Sequence, residues 1–198
     1  MLSVFAYSNK HVMHIQINQF VGIKLIDSFF YYITYLGDGI LGAIIVGITL
    51  LVNVRLGLYI GLSLILSALI TNTLKYHFFN DFDRPFWDWQ YVIGYSVKKV
   101  EGVDLHIKKS FPSGHATQAF AIFFAFALAA KKIQFKYLFF FIAILTAFSR
   151  VYLSQHWLQD ITAGSFVGVF SSLLFYFVFY NKTGGKRIDK SIIKLIKR

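Results

Sequence analysis

The stretch Ser149-Arg150-Val151-Tyr152-Leu153-Ser154-Gln155-His156-Trp157-Leu158-Gln159-Asp160 sits between two apolar runs, 137–148 and 161–180. It puts an Arg, a His and an Asp where hydrocarbon would otherwise continue, and ionisable groups at membrane depth are costly and usually functional. If the second run begins its helix near His156, Asp160 lies one turn further on the same face, within reach of the imidazole. A histidine oriented by a carboxylate is an activated nucleophile.

Two more polar clusters interrupt apolar sequence: Lys75 with Arg84-Pro85, and Pro112-Ser113-Gly114-His115. Three cations, Lys75, Arg84 and Arg150, gathered around two histidines describe a site for a phosphoryl group. Charge in phosphoryl transfer spreads over the equatorial oxygens, and fixed cations aimed there supply much of the catalysis. Pro112-Ser113-Gly114 at the head of an apolar run reads as a helix N-terminus whose free amides favour an anion, with Gly114 letting backbone come close. His156, held in one tautomer by Asp160, would attack phosphorus. His115 would protonate the leaving oxygen and then deprotonate the attacking water. With cations in those places no metal or other cofactor is expected. Asp81, Asp83 and Asp88 read more readily as solvated loop carboxylates than as a divalent-ion site. His11, His14 and His106 belong to no motif and read as surface residues, while Tyr152 and Trp157 read as packing or lipid-facing groups.

The elements that must bring these clusters together are membrane helices. Of the 198 residues 57% are hydrophobic and 19% aromatic, which argues for one integral membrane domain spanning 1–198. The net charge of +11 falls largely in short connections and the C-terminal tail, so membrane orientation explains it better than nucleic acid. Cysteine is absent, which excludes disulfides and thiolate chemistry. Residues 1–38 interleave apolar with polar groups and read as a segment lying in the membrane interface, without a signal-peptide core. From Gly39 to Leu74 the only charge is Arg55; as one helix this run would be about 54 Å long, against a hydrocarbon core of about 30 Å. It is therefore expected to form two spans, 39–54 and 56–74, turning at Asn53–Gly57. Further spans are expected at 114–130, from the 131–136 connection to 148, and at 157–180. Residues 75–110 form a polar, aromatic-rich loop over the site, and the basic tail 182–198, with Ile188, Ile192, Ile193 and Ile196 at helical spacing, reads as an interfacial helix for anionic lipid. Threaded this way, Arg55, Lys131, Lys132, Lys136 and the tail share one side, the cytoplasm, and the three polar clusters meet at the other.

Arg84-Pro85, Pro112-Ser113-Gly114-His115, and Ser149-Arg150 with His156 and Asp160 together resemble the three-part signature of the type-2 phosphatidic acid phosphatase superfamily, which also includes vanadium-dependent haloperoxidases and acid phosphatases. The resemblance runs from Lys75 to Asp160. Its second and third parts match throughout; the first departs from the family spacing, because eight residues separate Lys75 from Arg84 where the family has six, and His77 occupies the expected lysine position. Lys75, at the end of a span, is the better candidate for the role.

The expected fold is an all-α integral membrane bundle of five or six spans with an N-terminal interfacial helix and an extracytoplasmic active-site loop. The resemblance implies a membrane lipid phosphatase with His156, His115 and Asp160 catalytic, and Lys75, Arg84, Ser113, Gly114 and Arg150 holding phosphate. It implies a bacterial cytoplasmic membrane location with the site on the outer face. Undecaprenyl diphosphate, phosphatidylglycerol phosphate, phosphatidic acid and lipid A are the substrate candidates. The partners are then the lipid and its bilayer, with no nucleic acid and no obligate protein partner. The alternative is a non-catalytic lipid-phosphate binder or transporter, which would keep the cations and dispense with His156.

Overall fold

The computed structural model describes residues 9–183 and 187–192. The described residues are helical, without strands: α1 Asn9–Asn18, α2 Lys24–Ile33, α3 Gly39–Val52, α4 Val54–Thr73, α5 Pro85–Trp87, α6 Gly114–Ala129, α7 Ile133–Tyr152 and α8 Leu158–Phe175. Each boundary has a local cause. Asp38 caps α3 by accepting the Ile40 amide at 2.8 Å, Asn53 caps α4 by accepting the Leu56 amide at 2.9 Å, and Pro85 takes the first turn of α5. The expected turn at Asn53–Gly57 thus contracts to Asn53 alone.

Three helices are long and apolar enough to cross a membrane: Val54–Phe78, Ile133–Tyr152 and Leu158–Thr183. The pair Lys24–Gly37 and Gly39–Val52 would make a fourth if counted together, but it is bent by 61°. Length and composition therefore support three or four spans among the described residues, where the sequence suggests five or six. The shortfall lies in α3 and α6, which are apolar but short. Apolar runs locate membrane segments well and say less about whether each one is long enough to cross.

α6 is the centre of the bundle. Ala116, Ala119, Ala121, Ile122 and Ala125 are fully buried, as expected of a helix apolar on every side. It packs against α4, α7 and α8, whose outer faces expose Ile65, Leu69, Phe140, Phe166 and Phe170. Two glycines of α8 allow the closest of these contacts: a Cβ at Gly168 would stand 2.7 Å from Phe120 Cβ, and one at Gly164 would collide with the Ser113 carbonyl. Small residues at such a crossing let backbones approach, as in membrane helix pairs generally. The heads of α6 and α8 consequently meet, with the Ser113 amide donating to the Asp160 carbonyl at 3.0 Å. Thr71 near the end of α4 joins the same corner by a 3.0 Å hydrogen bond to Thr117.

The N-terminal segment does more than lie in an interface. α1 turns His11, His14 and Asn18 inward, all buried, and leaves Val12 and Met13 exposed. His11 hydrogen-bonds Asp88 at 3.0 Å, His14 accepts from the Trp89 indole at 2.9 Å, and Asn18 pairs with the backbone of Lys98. The two histidines are therefore not surface residues: they strap α1 across the loop. At the other end of the bundle Arg55 forms an ion pair with Asp189 and donates to the Tyr180 carbonyl at 3.0 Å. Arg187–Asp189 is a single tight turn beside that pair; the remainder of the expected interfacial tail helix, with Ile193 and Ile196, lies outside the described residues.

Candidate active site

The end of α4, the head of α6, the end of α7 and the head of α8 converge, and Lys75, Ser113, Gly114, His115, Arg150, His156 and Asp160 lie at that corner, with Arg84 reaching it from the loop. The pairing of His156 with Asp160 has a different origin from the one expected. The helix begins at Leu158, so His156 precedes it, and Asp160 is in its first turn. The Asp160 carboxylate folds back to accept the Trp157 amide at 2.9 Å, as a helix-capping group does. The same Oδ2 faces His156 Nδ1 at 3.4 Å and receives the Ser110 hydroxyl. Asp160 is fully buried and His156 2% exposed. A proton on Nδ1 directed at Asp160 leaves a lone pair on Nε2.

On that nitrogen bears Arg84, whose Nη1 lies 3.5 Å from His156 Nε2 and donates to both the backbone and side-chain oxygens of Gln155 at 3.1 Å. Its other nitrogens donate to the carbonyls of Lys108, at 2.8 Å, and Lys109. This guanidinium is clamped by neutral acceptors, with Asp160 the carboxylate among the described residues that favours its charge. Burial pulls its pKa down to about 10, which still leaves it charged at neutral pH. Burial, with the positive charges of Arg84, Arg150 and Lys75 around it, holds the His156 imidazole well below its ordinary range, so the ring is neutral.

Arg150, 8% exposed, is anchored by a 2.9 Å hydrogen bond to Thr34 in the turn between α2 and α3, and its Nε has no partner among the described residues. Its carbonyl accepts the amides of Gln155 and His156, tying the third motif into one compact bend. Lys75 lies on the last, wide turn of α4, Leu74–Phe78, half-buried and within electrostatic range of Arg84, Arg150 and Asp160. His77, two residues on, is exposed. Ser113 caps α6, its hydroxyl oxygen accepting the Ala116 amide at 3.4 Å. Since its own amide is spent on Asp160, the amides of Gly114 and His115 are the ones without an intrahelical partner. A Cβ at Gly114 would meet nothing within 4 Å, so the backbone there faces open space.

A cleft of about 420 Å³ is lined by buried Arg150, by half-buried His115, Asp38 and Tyr31, and by Tyr35, Asp104 and His106 at its exposed rim. His106 is thus at the lip of the site. Partial burial and the charges of Arg84 and Arg150 lower its pKa, so it too is neutral. Ser110, Gln155 and Thr34, which orient Asp160, Arg84 and Arg150, carry no spacing signal that would have marked them. The Asp81, Asp83 and Asp88 group is dispersed: Asp83 pairs with Lys108 at 2.7 Å, and Asp88 with Lys10 at 2.9 Å and His11. Trp157 is buried, donating its indole N–H to the Asp83 carbonyl at 3.0 Å, and the Tyr152 hydroxyl donates to Asp27 at 2.5 Å. Both are packing groups with a polar anchor.

Residues 56–184 match the sequence profile of the PAP2 superfamily. No curated protein matches the sequence. In fold the chain is similar to the crystal structure of Aquifex aeolicus LpxE, at 23% identity over 86% of this chain and 96% of that one, with a TM-score of 0.72. It is similar also to a transmembrane PAP2-type phosphatidylglycerolphosphate phosphatase from Bacillus subtilis, at 19% identity over 94% of this chain and 92% of that one, with a TM-score of 0.66. At such identities the likeness is one of fold. With more than half of its length matched, and all three phosphate-site motifs inside the matched stretch, the chain belongs to the PAP2 superfamily.

Proposed function

We propose that the chain hydrolyses a phosphate ester or diphosphate of a membrane lipid through a phosphohistidine at His156, using its own cations in place of a metal. The observation that carries this reading is the buried His156 ring with Asp160 on Nδ1 and Arg84 on Nε2. Nε2 attacks phosphorus while the bond to the lipid oxygen breaks; His115 donates the proton that the leaving oxygen needs. Water then attacks the phosphohistidine, His115 takes its proton, and the P–N bond breaks to release phosphate and the free imidazole. Lys75, Arg84 and Arg150, with the Gly114 and His115 amides at the head of α6, hold the equatorial oxygens as charge grows there. Ser113 contributes by capping that helix.

The bundle supports a lipid substrate: the site sits where apolar helices end, and the two structural relatives named above include a lipid phosphate phosphatase. The five-crossing arrangement is retained as part of the proposal. α3 runs from Asp38, in the site cleft, to Asn53, beside Arg55, and α6 runs from His115 to the lysine-rich connection, so both short helices link the two ends of the bundle. With Arg55, Lys131, Lys132 and Lys136 opposite the site, the cleft faces outward from a bacterial cytoplasmic membrane. Undecaprenyl diphosphate, phosphatidylglycerol phosphate, phosphatidic acid and lipid A are the substrates to try.

The test is phosphate release by detergent-purified protein in EDTA across those lipids, wild type against His156→Ala. Release that survives EDTA and vanishes in the variant supports the phosphohistidine reading. No release from any lipid, with phosphate-lipid binding equal in both proteins, would replace it with a binding or transport role.

A further inference from the structure

Resting on that reading, we propose that the chain is specific for lipid phosphomonoesters whose esterified headgroup carries hydroxyls, and that Asp104 at the mouth of the cleft and Asp38 further in, beside Arg150, together exclude diphosphates. The cleft changes character from inside to outside. Its deep wall carries His115 and Arg150, with Arg84 and Lys75 behind, enough positive charge for one phosphoryl group. Its exposed rim carries Asp104 and Tyr35, and half-buried Tyr31 and Asp38 lie further in, Asp38 within electrostatic range of Arg150. In a diphosphate the second phosphoryl group, itself anionic, is joined to the first by a single oxygen. With the terminal phosphorus at His156, that second charge has to lie in the outer part of the cleft, against the carboxylates.

Arg150 is in electrostatic range of Asp38, so Asp38 offsets part of the charge of the deep wall, while Asp104 stands exposed at the rim. His106, the basic residue on the lip, is held neutral by burial and by Arg84 and Arg150. Lys109 sets its Nζ 4.3 Å over the Tyr76 ring, on the Lys75 side of the site, and does not line the cleft. Beyond Tyr31 and Gly102 the surface continues into a second depression where Lys24 is outnumbered by Asp27 and Glu101. The carboxylates are also fixed in place: Asp38 is bound through one oxygen to the Ile40 amide, leaving the other free, and the Asp104 backbone is tied to the Arg84 clamp by a 2.7 Å hydrogen bond from Gln155. Carboxylates and phenols are partners for hydroxyl hydrogens. A site built this way rejects a charge-bearing analogue by repulsion while holding a polyol by hydrogen bonds.

The experiment measures kcat/KM for phosphate release in EDTA by the detergent-purified full chain. The substrates are phosphatidylglycerol phosphate, a lipid-linked sugar 1-phosphate, phosphatidic acid and a polyprenyl diphosphate. The expected result is that a hydroxylated monoester exceeds the diphosphate by about tenfold or more. Asp104→Asn alone, and together with Asp38→Asn, narrows that gap by raising the diphosphate. Asparagine keeps the helix cap, so the second variant reports on charge, and Asp104 is exposed, so the first reports independently of folding. The ratio of the two hydroxylated substrates separates a glycerol from a sugar headgroup. A diphosphate used as well as the monoesters, or a gap unmoved by both variants, overturns this inference alone. No release from any substrate overturns it together with the phosphatase reading.

Discussion

Nδ1 of His156 stands 3.4 Å from Oδ2 of Asp160, and that oxygen also accepts the Trp157 amide and the Ser110 hydroxyl. One buried carboxylate oxygen therefore starts α8, anchors the loop and sets the histidine tautomer. Asp160→Asn offers an amide in place of the acceptor that the Nδ1 proton needs, and kcat should fall by roughly a thousandfold or more, as in triads that lose their orienting carboxylate. Ser110→Ala removes one of three donors and leaves the other two; a loss of about tenfold is expected. Equal losses in the two variants, measured by phosphate release on proteins with matching near-UV circular dichroism, would contradict this division of roles.

The surroundings of His156 set a pH dependence. The attacking imidazole must be unprotonated, and burial together with Arg84, Arg150 and Lys75 lowers its pKa. The acid limb of kcat/KM should then lie below pH 6.5, the ordinary histidine value. Arg84→Gln removes one of the charges and should move that limb upward, whereas Arg84→Lys keeps the charge and should leave it nearly in place, although both variants lose rate. The substrate's own titration is common to all three proteins, so the displacement between the two variants is the informative quantity. A limb at the same pH in Arg84→Gln and wild type would remove the electrostatic account.

The residues of the proposed site stand out in the sequence because the proposed chemistry demands particular types at particular spacings: a histidine four before an aspartate, and a Pro-Ser-Gly-His opening a helix. The residues that hold them were not. Ser110, Thr34 and Gln155 are ordinary polar residues, and only the folded path of the chain puts them against Asp160, Arg150 and Arg84. Reading His11 and His14 as surface residues because they belong to no motif fails for a related reason. An amphipathic helix is expected to turn its apolar face inward, but α1 buries His11, His14 and Asn18 because their partners, Asp88, Trp89 and the Lys98 backbone, are polar groups of the loop beneath. The glycines at 164 and 168 that seat α6 on α8 likewise look like unremarkable small residues until the crossing is seen.

Lys75 and His77 compete for the first-motif role, and the wide turn Leu74–Phe78 separates them: Lys75 turns toward the cations of the site while His77 is exposed. Lys75→Gln should lower kcat/KM by about a hundredfold, the scale of losing one preorganised charge contact to the transition state. His77→Ala should stay within about twofold, as surface substitutions away from a site usually do. The reverse ordering in steady-state phosphate release would assign the role to His77.

His14 makes the docking of α1 sensitive to acid. It is 2% exposed, its Nδ1 accepts the Trp89 indole proton, and its Nε2 has no partner among the described residues. Burial, with His11 nearby, brings its pKa down to about 4 from the usual 6.5. Between these values the unfolded or undocked chain binds the proton and the native chain does not, so stability falls as pH drops through that window and is unaffected above it. The full loss is roughly 3 kcal/mol. His14→Phe keeps a ring against Trp157 but leaves the Trp89 N–H unpaired. It should cost about 1 kcal/mol at pH 7.5 and, in exchange, flatten the dependence below pH 6.5. Hydrogen exchange of the α1 amides between pH 7.5 and 4.5, corrected for intrinsic rates, reads local opening directly. Protection that declines with acid equally in wild type and His14→Phe would show that another group, not this histidine, responds.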